Sequence, residues 1–204
     1  MALIARGVYA DTGEKAFEAE TCYYLLFHIH SIHFCIDQLG QKRESIDLSE
    51  WRNECEFYHF YCDHLLFSLG QISNRLVITR RTKEKYKERI EENRKNFNFE
   101  DALFPIISEK NIRNTIEHID EYDVDIVSEM GGVGGFNVIF DDLNEIIKDR
   151  IINSKDAHPY CYDTVEQKIV VHRSGTRLVI SIEELCNELS ILEEAVNYLQ
   201  SFIK

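Results

Sequence analysis

A chain of 204 residues, 44% hydrophobic and 29% charged, can bury one sizeable core, which excludes a disordered, collagen-like or mucin-like polymer. Its formal charge of −13 excludes a surface that is basic all over, of the kind that coats DNA, but leaves room for one local basic groove. Only two prolines, Pro105 and Pro159, interrupt the chain, so long stretches are free to be helical.

The first helix is expected over about 17–39. One apolar line runs through Cys22, Leu25, Ile29, Ile32, Ile36 and Leu39, and a second through Tyr23, Phe27 and Phe34. Two apolar sides are as expected for a central element. Gly40 ends it. Asp47 with Glu50, or Ser49 alone, offers cap chemistry for a second helix. That helix carries Trp51, Cys55, Tyr58, Cys62, Leu65, Leu69, Ile72 and Leu76, in alternating steps of four and three. This is the seam of a long helix packed nearly antiparallel on another.

From Arg75 to Lys95 the composition turns, with nine basic residues against four glutamates. Arg80, Arg81, Lys83, Lys87, Arg94 and Lys95 are the expected RNA-contacting cations, neutralising phosphates in a salt-dependent way. Tyr86, Phe97 and Phe99 are interleaved with them as candidate platforms for base stacking. The competing reading is a solvated helix face, since Glu84, Glu88, Glu91 and Glu92 share the segment. Residues 96–103 read as a loop, and Pro105 suits the first turn of a third helix reaching about Tyr122.

Beyond Glu129, four glycines (Gly131, Gly132, Gly134 and Gly135) form a loop, and 136–140 reads as a short strand. Residues 165–172 and 176–181 predict a hairpin joined at Ser174-Gly175. Ser181 and Glu184 form a capping box for a closing helix with Ile182, Leu185, Leu189, Leu192, Val196, Leu199 and Ile203 inward. The expected fold class is mainly α: an antiparallel helical bundle over 1–129, then over 130–204 the glycine loop, a small β-hairpin and the closing helix, all in one domain.

The stretch Asn111 to Tyr122, NIRNTIEHIDEY, is the most informative. Arg113 is followed at once by Asn114 and, after three more residues, by His118, with Glu117 just before it. Here the chain resembles the HEPN superfamily, helical bundles whose signature is an arginine, four to six residues and a histidine, often with a polar residue after the arginine. The resemblance extends loosely over the whole chain, to uncharacterised bacterial HEPN-like proteins, but only these twelve residues are specific. It implies a metal-independent endoribonuclease of a toxin–antitoxin or phage-defence system, with a composite site at a homodimer interface. Arg113 would hold the scissile phosphate through its fork of donors, His118 would move protons, and Asn114 would orient them. On an unbroken helix Arg113 and His118 stand roughly 140° apart, so either the helix begins near Asn114 or the pair meets across the dimer. The alternative is that Arg113 and Glu117 form a solvated i,i+4 ion pair, in a non-catalytic interaction protein that dimerises or holds a partner. Some HEPN toxins carry, two positions after the histidine, a tyrosine that a partner modifies; here that position is Asp120.

Six cysteines without a C-x-x-C pair, and opening residues charged at Arg6 and Asp11, point to free thiols in a cytoplasmic protein. His28, His30, His33, His59 and His64 lie among cysteines on two helices, but their spacing points to different sides and no metal is expected. The glycine loop lacks the Lys-Ser/Thr ending of a phosphate loop, so no cofactor is expected. Expected partners are RNA, a second copy and an antitoxin or other defence protein, with neither DNA nor membrane among them.

Overall fold

Apolar residues three and four apart drive the two longest helices together. The computed structural model describes residues 13–41, 51–80, 82–109, 137–139, 160–173 and 176–203. Within these the chain is mostly helical with a small sheet: α1 (Gly13–Leu39), α2 (Trp51–Leu76), α3 (Glu84–Asn96), β1 (Asn137–Ile139), β2 (Tyr160–Asp163), β3 (Lys168–Arg173), β4 (Thr176–Ser181) and α4 (Ile182–Phe202). The cap residues expected before α2 lie outside the described residues.

Helices α1 and α2 run antiparallel, as their cross-contacts show. Tyr24 meets Gln71, His28 meets Phe67, and Phe34 meets Tyr61. The expected seam of α2 is buried from Tyr58 to Leu76, and the first apolar line of α1 from Cys22 to Ile32. The second line is not. Tyr23, Phe27 and Phe34 are 59%, 54% and 57% exposed, so α1 is a two-faced helix rather than a wholly buried one. The reason is tertiary: α2 and α4 both pack against α1, and they leave these rings more than half exposed, with Phe34 touching Tyr61 of α2 only edge to face.

Helix α4 lies antiparallel to α1. The Nε2 of His30 stands 3.0 Å from the Glu193 carboxylate, and that of His33 3.7 Å. Ser181 caps α4 by accepting the N–H of Glu184 at 3.3 Å. Ile182, Leu185, Leu189, Leu192 and Val196 are buried, with Leu199 and Ile203 partly buried against the same core. Glu188 interrupts this apolar line, only 4% exposed. Its two carboxylate oxygens accept the N–H groups of Ile106 and Ile107 at 2.8 and 2.9 Å. It thereby caps, from a distant helix, the turn that begins at Pro105. That turn has an i→i−4 bond from the N–H of Ser108 to the carbonyl of Phe104; the continuation of the expected third helix lies outside the described residues.

The expected hairpin is half of a larger sheet. Four strands lie in the order β1-β2-β3-β4, with β1 parallel to β2 and the others antiparallel. Strand β2 went unpredicted because all four of its residues are buried, so it has no alternation to reveal it. Strand β3 starts at Lys168, not 165. Residues 164–167 are a turn in which Asp163 Oδ1 accepts the N–H groups of Val165 and Glu166, with Gln167 at φ 48°. Tyr160, Tyr162, Ile169, Val171 and Ile180 face the helices, while Ile139, Cys161 and Val170 form a separate cluster. Tyr162 stacks on Tyr58, and the Tyr160 hydroxyl donates to Asp63, tying β2 to α2.

Candidate nucleic-acid interface

Helix α3 is the basic segment, and its composition leaves it little to bury. Only Ile90 and Asn93 are enclosed. It is held by polar clips: Asn93 Nδ2 donates to the Arg75 carbonyl at 3.0 Å, and Arg94 Nη1 to the Leu76 carbonyl at 3.2 Å and to Asp101 at 2.9 Å. A helix attached along one edge leaves space beside it. That space is a cleft of about 430 Å³ between α1, α2 and α3.

The walls are sorted by chemistry. Phe17 and Tyr24 come from α1, and Gln71, Asn74 and Arg75 from the end of α2. Thr82 and Lys83 from the connecting turn and Tyr86, Arg89, Ile90 and Asn93 from α3 complete the lining. The Arg75 guanidinium lies 4.4 Å over the Tyr24 ring and that of Arg89 4.7 Å over the Phe17 ring. A guanidinium held over a ring by cation–π attraction still has N–H donors for another partner. The Tyr24 hydroxyl donates to Gln71 Oε1 at 2.5 Å, which leaves the Gln71 amide nitrogen as a donor. No carboxylate lines the cleft among the described residues. None forms an ion pair with Arg75, Lys83 or Arg89 there either. In a chain of net charge −13, three uncompensated cations in one cleft make a local anion-attracting field.

Behind Tyr24 lies His28, buried, with the two rings 4.6 Å apart edge to face. Burial pushes its imidazole below the ordinary value, and the Arg75 charge pushes the same way. At the cleft mouth the phenol of Tyr86 is lowered by the hydrogen bond and charge of Lys85.

The expected cations divide. Lys83 lines the cleft. Arg80 and Lys95 are exposed outside it. Lys87 pairs with Glu84 at 2.6 Å, and Arg94 is spent on holding α3, its guanidinium also 5.1 Å over the Phe99 ring. Phe97 and Phe99 are core residues, Phe99 stacking on Phe104 at 4.5 Å, so of the three expected platforms only Tyr86 is exposed, with the Lys85 ammonium 4.7 Å over one face of its ring. Arg81, Arg113, Asn114 and His118 lie outside the described residues. Sequence reasoning passed over Arg75 and Arg89 as individual contacts, and over Tyr24, Gln71 and Asn74. A signal existed on α3: Lys83, Tyr86, Arg89 and Asn93 recur at steps of three, three and four, which is one helical face.

None of the six cysteines, all among the described residues, forms a disulfide. Burial raises the thiols of Cys35, Cys62 and Cys186, and that of Cys22 to about 11, so they remain protonated hydrophobes. Among the described residues no group of three His, Cys, Asp or Glu side chains is arranged to hold a metal ion, and no helix is long and apolar enough to cross a membrane. No family model matches the chain, and neither the curated proteins nor the solved structures searched contain a match.

Proposed function

We propose that this protein acts on single-stranded RNA as a metal-independent endoribonuclease of a toxin–antitoxin or phage-defence system, working as a homodimer in the cytoplasm. The observation that carries the RNA contact is the cleft with Arg75, Lys83 and Arg89 and, among the described residues, no carboxylate. Cations there would neutralise phosphates and Tyr86 would stack on a base. The cut itself is assigned by the RNTIEH stretch. Arg113 binds the scissile phosphate and stabilises the charge that builds on it, His118 transfers the proton of the 2′-hydroxyl or of the leaving oxygen, and Asn114 orients them. The antiparallel helices are the support that a HEPN-like bundle would use.

The test is incubation of the purified protein with mixed RNA in EDTA, beside Arg113→Ala and His118→Ala. Cleavage by the wild type alone, reduced at least ~100-fold in each variant, is the expected result. Undiminished cleavage by both variants would sink the assignment.

A second reading has its own observation. Tyr23, Phe27 and Phe34 on α1 and Phe60 and Phe67 on α2 are exposed rings on packed helices. Such a surface suits a protein that holds a partner or a second copy without catalysis. It predicts no RNA affinity even at low salt, together with an assembly larger than one chain.

A further inference from the structure

The cleft has the dimensions and charge of a site for one nucleotide rather than of a track for a backbone. Its volume of about 430 Å³ falls at the small end of ligand pockets, which run from about 300 to 1,000 Å³. A base paired in a duplex is stacked and cannot enter a space of this kind; an unpaired one can. The three cations also lie around a single cleft instead of along one groove. A phosphodiester brings one negative charge, whereas a terminal phosphate brings about −1.5 to −2 at neutral pH. Two guanidinium groups and an ammonium, with no carboxylate between them among the described residues, match the terminal group better.

The neutral lining fits the remainder of a nucleotide. Asn74 carries an amide with no hydrogen-bond partner among the described residues, and Gln71 keeps its amide nitrogen after Tyr24 takes the oxygen. Both are suited to the donor–acceptor edge of a base. Tyr86, 45% exposed, offers a ring.

From this geometry we infer that the cleft is a receptor for a nucleoside monophosphate unit bearing a terminal phosphate. The unit is either the phosphorylated end of a single-stranded RNA or a free nucleotide. The inference rests on the reading of this cleft as a nucleic-acid contact, and it names what that contact selects.

The experiment uses the full chain with His118→Ala, so that cleavage does not consume the probe. Fluorescence anisotropy compares a single-stranded RNA decamer ending in a 5′-phosphate with the same decamer ending in a 5′-hydroxyl, and with the phosphorylated duplex. Adenosine 5′-monophosphate serves as competitor. The phosphorylated strand is expected to bind about tenfold more tightly than the hydroxyl strand, the gain of one charge-assisted contact. The duplex should bind no better than the hydroxyl strand, and the mononucleotide should displace the phosphorylated one. The double variant Lys83→Glu/Arg89→Glu, at exposed positions, should keep its helical circular dichroism and lose the preference. Arg75→Gln is the second variant, reporting from the α2 wall. Strands bound equally well with no competition by the mononucleotide would overturn the inference while leaving RNA binding in place. Mononucleotide binding without any RNA binding would support it and remove the RNA reading instead. A preference that survives both variants would also overturn it.

Discussion

Helices α3 and α4 both pack on the antiparallel pair of α1 and α2, and they do so with opposite chemistry. Helix α4 contributes five buried aliphatic side chains and closes the space against α1. Helix α3 contributes Ile90 and Asn93, is held by hydrogen bonds to the carbonyls of Arg75 and Leu76, and leaves a cleft. Aliphatic side chains interlock at near-crystal density and remove volume, whereas polar clips fix an element at a few points and leave volume between them. A site needs the second kind of attachment, and a core needs the first.

The comparison breaks most sharply at Leu189. Truncation of this fully buried side chain to alanine should cost about 3 kcal/mol in urea unfolding. Ile90→Ala should cost less than Leu189→Ala, because α3 shields a smaller core. Equal losses would mean that α3 belongs to the core after all.

Glu188 is the one place where α4 uses the clip chemistry of α3. Glu188→Ala strands two buried N–H groups, for a loss of about 2–3 kcal/mol. Its carboxyl is pushed up by burial, helped by Glu184 and opposed by the two N–H groups. Because the folded chain holds this proton to higher pH than the unfolded chain, the stability it contributes is full below the ordinary value of 4.5 and is lost as pH rises through the elevated value. Glu188→Gln should flatten that decline in a series of thermal midpoints. A decline unchanged in the variant would assign it to another group.

Arg94→Ala sharpens the contrast on the other side. It should cost about 1–2 kcal/mol and speed amide exchange in α3 while leaving α4 protected. The smallest effect is expected at the exposed rings. Phe27→Ser and Phe67→Ser should change stability by no more than about 0.5 kcal/mol. Under the second functional reading they should nevertheless shrink the assembly, as light scattering would report.

How much of this was legible beforehand differs by element. The α2 seam and the inward face of α4 were readable because burial on one side of a helix imposes steps of three and four. Strand β2 was not, since burial on both faces erases its period. The second apolar line of α1 was misread because residue type reports what a side chain can pack against, not whether a neighbour arrives. The same holds for the site. The basic segment was visible as a local excess of charge, but charge content does not separate Arg94, clipped to Leu76 and Asp101, from Arg89, left facing a cleft. Nor does it join Tyr24 and Gln71 to the segment, since they come from other helices.

By itself, then, the sequence determined α1, α2 and α4, the Ser181 cap and the place of the positive charge, because these follow from periods and neighbours along the chain. Only the tertiary structure decided which rings are core, which cations are spent on holding α3 and which remain for a ligand. Those choices depend on which elements meet, whether Arg94 and Leu76 eighteen positions apart or Tyr24 and Arg75 fifty-one apart, and no local pattern encodes them.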